Sequence, residues 1–108
     1  MTEIRRIDPE SFQEKLEEGE LEGQLILDVR EPYEWEYYHD ERAVLMPMNT
    51  IPARLDELPR DRSIYVVCAH GVRSVNVCLY LRQQGFDNLV NVDGGMAAIA
   101  SLRGFQYD

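Results

Sequence analysis

The stretch VVCAHGVRSVNVCLYL places one cysteine, Cys68, between an apolar run typical of a buried strand and a run typical of a helix. A cysteine at such a turn can act as a nucleophile, because a helix N-terminus and a nearby cation such as Arg73 favour the thiolate. Gly71 lets the acid-free turn direct its backbone N–H groups at an anion. The pattern predicts a catalytic Cys68 beside an anion site and leaves open whether the thiolate attacks sulfur or phosphorus.

Acidic residues are absent around this cysteine, although the chain as a whole is acidic. The 108 residues include 20 Asp and Glu against 11 Lys and Arg, a formal net charge of -9, yet no acid lies between Ser63 and Phe86. Exclusion of all charge from a buried strand explains part of this gap, but Arg73 and Arg82 remain within it. The net charge repels phosphate backbones and anionic lipids, so we expect neither nucleic-acid nor membrane binding.

The composition indicates a single domain over residues 1–108. With 44% hydrophobic residues the chain can form one core, and no stretch reaches the roughly 18 consecutive apolar residues of a membrane span. The N-terminal segment has no apolar signal-peptide core, so we expect a cytoplasmic protein. Two cysteines without Cys-x-x-Cys spacing and two separated histidines predict free thiols, no metal site and no cofactor.

The elements that must position Cys68 alternate between strand and helix. Apolar runs predict strands at residues 25–29, 43–46, 63–67 and 89–92. Capping and periodicity predict helices from the Asp8 N-cap to Glu18, from Pro32 over YEWEYY, and over residues 51–58, 73–84 and 94–102. This alternation predicts an α/β fold in which a parallel sheet is covered on both faces. In such sheets ligands bind beyond the carboxyl ends of the strands, where Cys68 lies.

Side-chain spacing predicts which faces of these helices are buried. On the first helix, Phe12 and Leu16 are expected to face the core. On the helix over residues 73–84, the expected face is Val75, Cys78, Leu79 and Arg82. Cys78 is therefore interpreted as a core residue and not as a second nucleophile. The aromatic residues Trp35, Tyr37 and Tyr38 are interpreted as packing or rim residues.

Three motifs in the same order resemble the rhodanese family. CAHGVRS resembles its active-site loop, Cys-x-x-Gly-x-Arg-Ser, while LILDVREPYEW resembles its upstream signature and NVDGG its C-terminal element. The resemblance runs over residues 25–102. It implies a single rhodanese-like domain with a five-stranded, mostly parallel sheet flanked by helices on both faces. It also implies a sulfurtransferase whose cysteine alternates between thiolate and persulfide.

The resemblance implies roles for the residues around Cys68. The loop residues Ala69, His70, Gly71 and Val72 would hold the persulfide sulfur, and Arg73 would orient a small anionic donor such as thiosulfate or a persulfide. A thiol, cyanide or a sulfur-accepting protein would then remove the sulfur. We expect three supporting residues, Asp28, Arg30 and Ser74, with Arg30 a second candidate for anion contact. His70 is expected to point to solvent, with orientation of an incoming anion as its alternative role.

Loop length favours sulfur over phosphorus. Four residues separate Cys68 from Arg73, whereas phosphatase and arsenate-reductase relatives use the longer His-Cys-x5-Arg loop. A shorter ring of amides suits one sulfur atom better than a phosphoryl group, and Val67 stands in place of the histidine. A non-catalytic or sulfur-carrying module that binds a partner protein remains an alternative.

The chain departs from the family pattern at two places. The usual turn "H-I-P-G-A" is replaced by residues His39 to Ala43, which lack both the Pro and the Gly. Ile99 stands where a Trp is common after the two glycines. The first change is expected to alter the local loop, and the second the packing of the last helix.

Overall fold

The strands of the protein form one parallel sheet. The computed structural model describes residues 4–107. Its strands are β1 (Arg6–Ile7), β2 (Leu25–Asp28), β3 (Val44–Leu45), β4 (Ile64–Val67) and β5 (Leu89–Val92). Every pairing is parallel, and the order across the sheet is β1-β5-β4-β2-β3. The five-stranded sheet of the predicted α/β fold is confirmed.

Among residues 4–107, four α-helices and two short 3-10 helices accompany the strands. The α-helices are α1 (Pro9–Glu17), α2 (Pro32–Tyr37), α3 (Val72–Gln83) and α4 (Gly95–Leu102). The 3-10 helices cover Met48–Ala53 and Leu55–Glu57, where the sequence predicted one helical stretch over residues 51–58. Pro52 lies inside the first of them and has no N–H to donate, so the segment forms short, tight turns and not a continuous α-helix.

Helices cover both faces of the sheet, as predicted. On one face, the β4 side chains Ile64 and Val66 pack in a cluster with Val77 and Leu81 of α3. On the other face, Val67 packs in a second cluster, whose helical members are Phe12, Leu16, Met96 and Ile99. Strand side chains alternate between the two faces, so these apolar runs are buried on both sides. No helix of residues 4–107 has the length and apolar character needed to cross a bilayer.

The structure corrects the predicted buried face of α3 and adds one short strand. The buried residues of α3 are Ser74, Val77, Cys78 and Leu81, so of the predicted face only Cys78 is buried. The predicted face and the buried face each carry aliphatic residues at helical spacing. Periodicity therefore did not show which of the two faces is buried. β1 was not predicted at all, because a strand of two residues with an exposed Arg6 has no local pattern.

Ion pairs take the place of proline and glycine in the turn after α2. The Asp40 carboxylate accepts hydrogen bonds from the Arg42 backbone N–H and guanidinium and from the guanidinium of Arg103. Burial of Asp40 raises its pKa, but the hydrogen bonds from Arg42 and Arg103 outweigh burial and lower the pKa to about 2. The turn is thus tied to the end of α4. Ile99, the other departure, is fully buried in the second cluster.

The topology creates a crevice at the carboxyl ends of β2 and β4. These strands are neighbours, with Asp28 beside Val67 at their ends. From β2 the chain passes to β3 on one side, and from β4 it passes to β5 on the other. Open α/β sheets bind ligands where two such connections diverge, so we expect the ligand site between α2 and α3. Cys68 is the first residue after β4.

Candidate active site

The sulfur of Cys68 lies within a cradle of hydrogen-bond donors. The residue is 1% exposed. The backbone N–H of Gly71 donates to its Sγ at 3.1 Å and that of Ser74 at 3.3 Å, and the Ser74 hydroxyl oxygen is 3.3 Å from Sγ. Two amides therefore donate to one atom at the N-terminus of α3, where roughly half a positive charge adds to their effect, and the Ser74 hydroxyl accepts from the thiol. This arrangement stabilises negative charge on sulfur.

Gly71 allows the chain to turn from β4 into α3 within so few residues. It is the N-cap of α3 and has φ +93°, a left-handed conformation that other residues rarely adopt. A Cβ at this position would also lie 2.9 Å from the backbone N of Gly94. The loop and the start of α4 are thus in direct backbone contact.

The first turn of α4 is hydrogen-bonded to the backbone of the loop. The N–H of Met96 donates to the carbonyl of Cys68 at 2.8 Å, and the N–H of Ala97 donates to the carbonyl of Ala69 at 2.9 Å. A Cβ on Gly95 would lie 2.4 Å from the Cys68 carbonyl oxygen, so only glycine permits this approach. Gly95, the last residue of the NVDGG motif, therefore lets the first turn of α4 approach and hold the backbone of Cys68 and Ala69.

Gly95→Ala should destabilise the protein more than a glycine replacement that adds strain alone. Gly23→Ala is the matched control. Gly23 has φ +85°, and a Cβ there would meet no heavy atom within 4 Å. Gly95 has φ +62°, and a Cβ there would meet the backbone of Cys68 and Ala69. Both variants incur about 1–2 kcal/mol of left-handed strain. We expect Gly95→Ala to lose a further ~2 kcal/mol of unfolding free energy in urea titration. Equal losses would show that the close approach is unimportant.

Arg73 is joined to an acidic residue that the sequence predictions did not include. Its two terminal nitrogens donate to the two carboxylate oxygens of Glu34, at 2.9 and 2.8 Å. These hydrogen bonds lower the pKa of Glu34 and raise that of Arg73. The carboxylate is fixed further by the Glu31 backbone N–H, which donates to it at 2.9 Å in the capping box of α2. The available signal was the acid Glu34 within the DVREPYEW motif.

The comparisons with known proteins agree with this geometry. The family model described as Rhodanese-like domain matches residues 8–102. The chain belongs to the rhodanese-like family. It is 37% identical to a sulfurtransferase of Allochromatium vinosum, over 90% of this chain and 89% of that protein. It is also 37% identical to the thiosulfate sulfurtransferase GlpE of Pseudomonas syringae, over 88% of this chain and 86% of that protein.

A solved structure supports the same assignment. A rhodanese-like domain protein from Staphylococcus aureus is 39% identical and has a TM-score of 0.78, with 89% of this chain and 91% of that chain covered. Because identity is this high over nearly the whole length, the likeness extends beyond the fold to the family. The resemblance inferred from the three motifs is confirmed.

In this rhodanese-like domain the contacts of Arg30 are those of a supporting residue. Asp28 and Arg30 are both 0% exposed. The guanidinium donates to the Asp28 carboxylate at 2.7 Å, to the backbone carbonyls of Glu34 and Tyr38, and to the hydroxyl of Tyr107. Its donors are therefore directed into the protein, where they bind α2 and the C-terminal segment to the end of β2.

The side chains of Ala69, His70 and Val72 differ in exposure. Ala69 is buried, Val72 is exposed at the first turn of α3, and His70 is exposed. The His70 ring meets the ring of Tyr107 edge to face, with centroids 6.0 Å apart. Among the residues described, neither Ala69 nor Val72 brings a polar side chain to the site, so any contact they make with a donor is through their backbone.

The second cysteine and the aromatic residues are structural. Burial raises the pKa of the Cys78 thiol to about 12, so it stays protonated and unreactive at neutral pH. Trp35 stacks on His39, with ring centroids 3.9 Å apart. Tyr37 and Tyr38 both pack against Phe105 of the C-terminal segment. These contacts form the rim between α2 and the chain terminus.

Proposed function

We propose that this rhodanese-like domain is a sulfurtransferase that carries sulfur on Cys68. The observation that supports the proposal best is the convergence of the Gly71 amide, the Ser74 amide and the Ser74 hydroxyl on one buried sulfur. These groups can stabilise negative charge on sulfur, both in the thiolate that attacks and in the persulfide that results.

In the first half-reaction the Cys68 thiolate attacks the outer, sulfane sulfur of a donor. The sulfur–sulfur bond of the donor breaks, its electron pair leaves with sulfite or a thiolate, and Cys68 becomes a persulfide. Amides of the loop between Ala69 and Arg73 hold the terminal sulfur of the persulfide. Arg73 orients the anionic part of the donor, with those of its N–H groups that Glu34 does not use.

In the second half-reaction an acceptor attacks the terminal sulfur. Cyanide becomes thiocyanate, a thiol becomes a persulfide, and the electron pair of the broken bond returns to Cys68 as a thiolate. A sulfur-accepting protein would present its thiol in the same way. A reducing compartment such as the cytoplasm keeps the Cys68 thiol free for this cycle.

Attack on phosphorus is the less well supported alternative. The amides lie 3.1 and 3.3 Å from Sγ itself, so the loop is closed around one sulfur atom. A phosphoryl group needs amide contacts to three oxygens placed farther from the cysteine, which the longer loop of the phosphatase relatives would supply. We therefore assign the site to sulfane sulfur.

Mass spectrometry after donor treatment tests the proposal. The protein incubated with thiosulfate and freed of excess donor should gain the mass of one sulfur atom, located by peptide mapping at Cys68. Cys78→Ala should gain the same mass, because its remaining cysteine is the nucleophile. If neither thiosulfate nor an organic persulfide adds this sulfur, the proposal is contradicted. A persulfide that forms but is not removed by cyanide or by a small thiol would instead support the carrier function.

A further inference from the structure

The anion site at the mouth of the crevice contains a carboxylate. The pair of Glu34 and Arg73 is not a surface contact, since the Glu34 side chain is 15% exposed and the Arg73 side chain 33%. Both carboxylate oxygens accept from Arg73, and one of them also accepts from the N–H of Glu31. Three hydrogen bonds therefore fix a negative charge where a small anionic donor would approach.

We propose, building on the sulfurtransferase function above, that Glu34 is a specificity-determining residue that selects against dianionic donors. The structure points to organic persulfides as the donor class, because an organic persulfide attacked as its neutral RSSH form adds no charge to the site.

The balance of charge around the sulfur supports this inference. The negative groups are the Cys68 thiolate and Glu34, and the positive ones are Arg73 and the half charge of the α3 N-terminus. The buried pair of Asp28 and Arg30 is neutral as a unit. A dianion such as thiosulfate therefore approaches a site that is already slightly negative, at a depth where water screens charge weakly.

The geometry of Arg73 adds a second restriction. Glu34 occupies one N–H on each terminal nitrogen in a two-point contact, the same contact that a sulfonate group would need. A sulfonate must displace a carboxylate that is held by its own helix cap, or bind the remaining N–H groups of Arg73 with the Glu34 charge close by. An organic persulfide has no sulfonate group and needs no such contact. The Cys68 thiolate attacks its outer sulfur, RS⁻ leaves with the electron pair of the broken bond, and the proton remains on the new persulfide.

The test compares two donors that differ by one unit of charge. Thiosulfate is a dianion and methanethiosulfonate a monoanion, both with a transferable outer sulfur. Glu34→Gln removes the charge but retains an oxygen that accepts from Glu31. With cyanide as acceptor, we expect this variant to raise kcat/KM for thiosulfate about tenfold and that for methanethiosulfonate less than about threefold. The gain should shrink at high ionic strength.

Glu36→Gln is the matched control, since Glu36 is an exposed acid on the same helix and its loss changes the net charge equally. It should leave the ratio between donors unchanged. A merely structural effect of Glu34→Gln would lower both rates together and not alter their ratio. An unchanged ratio, or an equal change in the Glu36 variant, would overturn the inference while the persulfide on Cys68 still forms. If neither donor loads Cys68, the sulfurtransferase function itself fails.

Discussion

Cys68→Ser should reduce sulfur transfer from thiosulfate to cyanide by at least about a thousandfold. Serine keeps the size of the side chain and its contacts with the Gly71 and Ser74 amides, but its hydroxyl is almost never ionised at neutral pH. The nearest side-chain group is the Ser74 hydroxyl, 3.3 Å from Sγ, which is no base. Initial rates of thiocyanate formation measure the loss.

Cys78→Ala provides the control for this result. Cys78 is buried, and burial holds its pKa at about 12, so it does not supply a thiolate. The variant should keep most of the activity, although the lost sulfur atom leaves a small cavity that costs about 1 kcal/mol of stability. Turnover retained in the Cys68 variant would contradict the persulfide mechanism. Activity lost equally in both variants would indicate a structural effect on the core.

Arg30→Met should lower the free energy of unfolding by about 3–5 kcal/mol. The substitution removes the cation from a pair that is 0% exposed and leaves the Asp28 carboxylate in the interior without its partner. It also removes the donors that hold the Glu34 and Tyr38 carbonyls. Urea titration followed by circular dichroism measures the change, since the midpoint falls with the free energy of unfolding.

Two further variants separate the buried charge from other effects. Arg54→Met removes an exposed guanidinium from its ion pair with Glu57 and should change stability by less than ~1 kcal/mol. The double variant Asp28→Asn with Arg30→Met should recover part of the loss, because no charge then remains buried. If Arg30→Met costs no more than Arg54→Met, the pair is not important for stability.

Local sequence was sufficient for the main elements and for the place of Cys68 in the fold. The Asp8 cap with Pro9, the apolar run before Cys68 and the five-residue step to Arg73 are short-range patterns, each determined by backbone preferences and periodicity. They predicted the α/β class and the position of Cys68 at the end of a strand. The motifs resembling rhodanese added the family, because three of them occur in the correct order.

Only the tertiary structure decided which groups meet at the site. Glu34 and Arg73 are 39 positions apart, and they meet because β2 and β4 are parallel neighbours, so that α2 and α3 begin at the same edge of the sheet. The contacts of Met96 and Ala97 with the loop likewise depend on where α4 starts. Such pairings follow from strand order and the handedness of crossovers, which no local pattern encodes. For the same reason, the sequence left Arg30 open between a supporting role and an anion contact, whereas the fold buries its guanidinium against Asp28.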